Sequence, residues 1–141
     1  MDIGQEFAIE IGRVSRQWRK RLDERLKQTG LTQARWVVLL QLSQTGPVSQ
    51  KDLAGIVGVE GPTLVRVLDK LEQQGLVERK ACGDDRRVKH IYLTDTARPV
   101  LARITEIAAV LRKELLEDVA DEDLRAAREV LRTVGDRLEH L

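Results

Sequence analysis

The residues with most chemistry to offer are four cations in two short stretches. GPTLVRVLDKLEQQG, residues 61–75, carries Arg66 and Lys70, and GDDRR, residues 83–87, carries Arg86 and Arg87. None of these is a nucleophile or an acid–base pair. Guanidinium groups suit phosphates and base edges: arginine can bond bidentately to O6 and N7 of guanine, and it is favoured in narrow, electronegative A·T-rich minor grooves. Asp85, next to the arginine pair, could hold one of them through a carboxylate–guanidinium bond. Nucleic-acid contact is therefore the chemistry to test.

The elements around these cations can position them. At 100° per residue, Leu64, Val67, Leu68 and Leu71 fall on one helical stripe, the i, i+3, i+4, i+7 pattern of a buried face. Pro62, Arg66, Asp69 and Gln73 fall opposite, flanked by Thr63 and Lys70 on one side and Val65 on the other. A helix anchored by leucines and offering Arg, Thr and Lys can enter a major groove. SQKDLAGIVG, residues 49–58, predicts a preceding helix with Ser49 as cap, Asp52 in a capping-box-like position and Gly58 at its end. Gly61-Pro62 opens the second helix, with Pro at the first position, where its missing N–H costs nothing, and Gly75 closes it. The intervening turn is short, as a helix-turn-helix requires. Leu76 to Cys82 and Val88 to Leu93 are strand-compatible, and GDDRR between them is a turn by composition. A hairpin in that place is a wing whose tip can reach a minor groove.

Composition sets outer bounds. The 141 residues suffice for one domain core, and aromatic residues make up only 3% of the chain, which suits packed helices better than a β-sandwich. No run of 18 apolar residues exists, and MDIGQEFAIEIGRV lacks the order of a signal peptide. A single cysteine excludes an intrachain disulfide, so a cytoplasmic protein without a membrane partner is expected. The net charge of +1 does not by itself suggest a polyanion partner. Its distribution is uneven: residues 1–94 hold 16 Lys/Arg against 12 Asp/Glu, and residues 95–141 hold 8 against 11. A locally basic head on an acidic helical tail fits contact with DNA on one face, although ordinary solvated surface would look similar.

The flanking helices point to self-association. Ile3, Phe7, Ile11, Val14, Trp18 and Leu22 repeat at spacings of three and four. Leu101, Ile104, Ala108, Leu111 and Leu115 follow a heptad-like pattern after Thr94. A last helix, capped by Asp121-Glu122-Asp123, offers Leu124, Leu131, Val134, Leu138 and Leu141. One chain has too little neighbouring core to bury all these stripes. A two-fold homodimer would cover them and set two heads roughly 34–36 Å apart, one turn of DNA. The alternative is intramolecular packing of the three helices.

These residues resemble the MarR family of winged-helix regulators, and more closely its SlyA-like branch. The resemblance spans essentially the whole chain. Its most specific part is DRRVKHIYLT, residues 85–94, which matches an Asp-x-Arg followed at fixed distance by Leu-Thr; PTLVRVLDKLEQQGLVER, residues 62–79, and LTQARWVVLL, residues 31–40, are similar to the recognition helix and the helix before it. The resemblance implies a mainly α fold with a small β-hairpin wing. Residues 32–94 would form the winged helix-turn-helix head and residues 1–28 and 95–141 the dimerisation helices of a single domain, 1–141. It implies double-stranded DNA, on a palindromic operator, as partner. Arg87 would be the minor-groove arginine, Asp85 its partner, Arg86 a backbone contact and Arg66 a leading base or phosphate contact, within a set comprising Ser49, Pro62, Thr63, Val65, Asp69 and Lys70. Ala97 stands where many members carry Gly, which bears only on entry into the next helix.

MarR-like proteins commonly hold a crevice between dimerisation helices and head, which small aromatic carboxylates can enter. Arg13, Arg16 and Arg19 could face such an anion, and Trp18 and Trp36 could line an apolar wall. Against this, a Trp among aliphatic residues is ordinarily core and an Arg on an amphipathic helix ordinarily solvated. Cys82, near Lys80, Arg86 and Arg87, could have thiolate character suited to a redox input, although most lone cysteines have no such role. Catalysis is not expected: His90 and His140 lack metal-ligand spacing, and there is no Gly-rich phosphate loop, nucleophile elbow or cofactor motif. The competing expectation is a winged-helix protein–protein adaptor, which would lose the cations this chain keeps.

Overall fold

The computed structural model describes residues 1–81 and 87–141. They divide into two compact units, Met1–Ala108 and Ala109–Leu141.

The first unit opens with helix α1 (Ile3–Leu26). Its start is fixed by a reciprocal capping box: Asp2 Oδ1 accepts from the Gln5 N–H at 2.8 Å, and Gln5 Oε1 accepts from the Asp2 N–H at 2.9 Å. After a 3₁₀ turn at Lys27–Thr29 come α2 (Gln33–Thr45), a two-residue strand β1 (Val48–Ser49), α3 (Gln50–Val57) and α4 (Gly61–Gln73). Strands β2 (Val77–Ala81) and β3 (Lys89–Leu93) follow, then α5 (Ala97–Leu115), which ends within the second unit. The core of this unit is aliphatic: Leu26, Leu39, Leu42, Leu53, Leu64, Leu68, Leu71 and Ile91 are fully buried. The leucine stripe of α4 thus faces inward as its periodicity predicts, with Val67 half-buried at its edge.

The wing is a three-stranded antiparallel sheet in the order β1-β3-β2. Val48 pairs with Ile91 and Ser49 with His90, while β2 runs from Val77 opposite Leu93 to Ala81 opposite Lys89. Three details depart from expectation. Strand β1 adds a third strand to the expected hairpin, β3 starts at Lys89 rather than Val88, and β2 starts one residue late because Leu76 completes the end of α4. Gly75 takes φ +73°, its N–H bonds to the Glu72 carbonyl, and the Leu76 N–H reaches the Leu71 carbonyl at 2.9 Å, a Schellman closure. The Thr94 hydroxyl donates to the Gly75 carbonyl, and the Thr94 N–H donates to the Leu76 carbonyl. The threonine of the Leu-Thr pair therefore ties the exit of the sheet to the end of α4. Ala97, at the start of α5, is buried, and its N–H bonds back to the Thr94 carbonyl.

The second unit comprises the end of α5 and helix α6 (Asp121–Glu139). Asp121, Glu122 and Asp123 do not cap α6 as expected. Ala120 is the cap residue, and the three acids occupy the first turn, where they complement the helix dipole. A groove of about 680 Å³ runs beside Val110, Leu116, Val119 and Leu124 in this unit. Among the described residues no helix is long and apolar enough to cross a membrane.

Candidate nucleic-acid interface

Helix α3 is held at its start by the Ser49 hydroxyl, which accepts from the Asp52 N–H at 3.1 Å, and released at its end by Gly58 at φ +78°. After Gly58 only Val59 and Glu60 precede α4, which begins at Gly61 with Pro62 at its second position rather than its first. That position still lies among the N–H groups left without intrahelical partners, so the proline costs no hydrogen bond.

With its leucines buried, α4 turns the opposite face outward. Pro62, Thr63, Arg66 and Lys70 lie on it; Pro62, Thr63 and Arg66 are exposed, and Val65 is half-buried. Among the described residues neither Arg66 nor Lys70 has a carboxylate partner, so both charges remain available to an external anion. Ser49 is half-buried and uses its oxygen as a cap, which leaves only its hydroxyl hydrogen to donate outward.

Asp69 requires a correction. Helical periodicity predicts it on the outward face with Arg66, but its carboxylate turns sideways to the sheet. Arg79 Nη2 donates to Asp69 Oδ1 at 2.6 Å, and Arg79 Nε donates to Glu72 Oε2 at 3.1 Å. Arg79 is opposite Ile91 on β2, and strand alternation puts it on the same side as buried Val77, facing α4. Its side chain is only 20% exposed. Hydrogen bonding to Arg79 holds the Glu72 carboxyl below the ordinary glutamate value, and the bonds to Glu72 and Asp69 raise Arg79. Sequence reasoning misses this three-residue clamp. The available signal is Asp69 and Glu72 three apart on one helix edge, followed by an arginine at an inward strand position. On the other side of the sheet, the Lys80 ammonium lies 5.4 Å from the Tyr92 ring centre and 3.0 Å from Glu78.

Arg87 is exposed two residues before β3. Cys82, Asp85 and Arg86 lie outside the described residues, and with them the expected Asp85–Arg87 bond and the expected redox input.

The candidate effector residues separate. Trp18 and Trp36 line an open cavity of about 320 Å³ together with Ser15, Arg19 and Leu22. Trp36 is 3% exposed, and its indole N–H donates to Asp23 Oδ1 at 3.1 Å, so it is both core and wall. Arg13 is absent from the lining and is paired with Glu10 one turn earlier on α1. Of the three arginines expected to face the anion, Arg19 is in the lining, whereas Arg13 and Arg16 are not.

The MarR family profile matches residues 31–89, from two residues before α2 to the first residue of β3. The crystal structure of the transcriptional regulator PA3341 is 45% identical, with TM-score 0.90 over 96% of this chain and 99% of that one. The chain belongs to the MarR family. AbsC, a MarR family transcriptional regulator from Streptomyces coelicolor, superposes with TM-score 0.84 at 21% identity, over 100% of this chain and 98% of that one. A mutant MarR from E. coli, crystallised with operator DNA, superposes with TM-score 0.77 at 22% identity, covering 95% and 99% of the two chains. These two share the fold of this MarR-family chain.

Proposed function

We propose that this MarR-family chain is a homodimeric, sequence-specific regulator of transcription that binds double-stranded DNA. Helix α4 enters the major groove with Arg66, Thr63 and Lys70 leading, and the wing sets Arg87 in the flanking minor groove, with Arg86 and Asp85 in the roles the family resemblance implies. The observation that carries this reading is the two-sided character of α4. Its leucines are fully buried, and its two cations stand on the opposite face without carboxylate partners among the described residues. An adaptor would have no need of such a face, so that reading is not favoured.

Dimerisation is supported by apolar surface that one chain leaves in water. On α1, Ile3 is 79% exposed, and Phe7, Ile11 and Val14 are also exposed; on α6, Leu131 and Leu138 are exposed. A second copy would cover these stripes, setting two α4 helices on successive turns of a palindromic site. The likeness of residues 62–79 and 85–94 to the SlyA-like branch supports assignment to it, and a regulator of this kind works in the cytoplasm. The Trp18–Trp36 cavity, with Arg19 at its wall, suits a small aromatic carboxylate whose binding would release DNA. The test is selection of bound duplexes from a random pool. A palindromic consensus is expected, and recovery of unenriched sequences at low salt would sink the reading.

A further inference from the structure

Helix α4 carries as many acids as bases: Arg66 and Lys70 against Asp69 and Glu72. Left alone, it would offer DNA a face with no net positive charge, and phosphates would repel its two carboxylates. The structure resolves this through β2. Arg79 takes both carboxylates at once, at 2.6 Å and 3.1 Å, with a second Nη2 contact to Glu72 Oε1 at 3.5 Å. Its guanidinium is the right shape for the task, because a planar fork can hold two acceptors whose positions on the helix differ by one turn. The same bonds tie the helix edge to the strand that leads to the wing tip.

We infer that Arg79 is a positioning residue for DNA recognition: it withdraws Asp69 and Glu72 from the groove-facing surface. Arg79 does not itself contact DNA. It acts through two acidic neighbours, leaving Arg66 and Lys70 as the charge α4 presents. This inference rests on the DNA-binding reading above and adds a residue to it.

The experiment compares the full-length parent, R79Q and the triple variant R79Q/D69N/E72Q on one duplex selected by the parent, by fluorescence anisotropy over a range of salt. R79Q frees two carboxylates, so its affinity should fall about tenfold or more at low salt, and the deficit should shrink as salt screens the repulsion. The triple variant has no carboxylate to mask, and should recover to within about threefold of the parent. Equal binding by R79Q and the parent would overturn the inference. So would a triple variant as weak as R79Q, since Arg79 would then act by its own contact or through the fold. Thermal melts of each protein are read alongside. If R79Q melts below the assay temperature, R79K takes its place; it keeps the charge but not the fork, and its smaller loss should be reversed by adding D69N. A loss that D69N leaves in place also overturns the inference. Failure of the parent to bind any duplex would instead remove the DNA-binding reading, a separate outcome.

Discussion

Arg66 and Arg87 are the two side chains whose removal separates reading from holding. If Arg66 bonds bidentately to a guanine, Arg66→Ala should cost about 1–3 kcal/mol on the preferred site and relax choice at one base pair. Equal loss on every variant site would make Arg66 a phosphate contact. Arg87→Ala should weaken binding and erase any preference for A·T-rich flanks, measured with duplexes differing only outside the half-sites. A flank preference that survives contradicts a minor-groove arginine at that position. Glu72 gives a prediction in pH. Its carboxyl is held below the ordinary value by Arg79, so the pair stabilises the fold at neutral pH and loses that contribution as pH falls through the lowered value. The effect is small, because both carboxylates of the clamp are nearly half exposed. Thermal melts of the parent and Glu72→Gln should therefore differ at neutral pH and converge in acid. A gap that stays constant with pH would mean the pair does not titrate as described.

At the scale of elements, α4 depends on its buried stripe and on its end. Leu68 is fully buried, so Leu68→Ala should cost about 2–5 kcal/mol in urea unfolding. A loss within error of zero would show the site to be loosely packed. Most of this element was legible in the sequence. Three leucines at helical spacing, a proline at the start and a glycine at the end each express a local rule that one stretch of chain can reveal. The expected cap at Ser49 and the closures at Gly58 and Gly75 are present for the same reason. What could not be read depends on partners distant in sequence. Strand β1 has only two residues and exists because β3 offers an edge to Val48 and Ser49. The role of Asp69 depends on Arg79, ten residues later, and on which way the β2 pleat turns. Arg13 and Arg19 look alike in composition, and only their angular positions on α1 decide which one meets the cavity.

For the whole molecule, the exposed stripe on α1 makes assembly testable apart from DNA. Phe7→Glu places a charge in a surface proposed to be covered by a second copy, where an unpaired charge is costly. Analytical ultracentrifugation should show the parent as a dimer and the variant shifted toward monomer, with its fold retained by circular dichroism. A variant that remains fully dimeric would remove this face from the interface. Dimerisation and DNA binding are coupled in this account, since each head alone offers few contacts and the two-fold doubles them.

The most direct measurement is a hydroxyl-radical footprint of the full-length chain on a duplex it has selected. Two protected half-sites related by a two-fold axis are predicted, with centres roughly 10–10.5 base pairs, or one helical turn, apart and minor-groove protection on their outer flanks. A single unsymmetrical block, or protection indifferent to sequence, would contradict the paired-helix account.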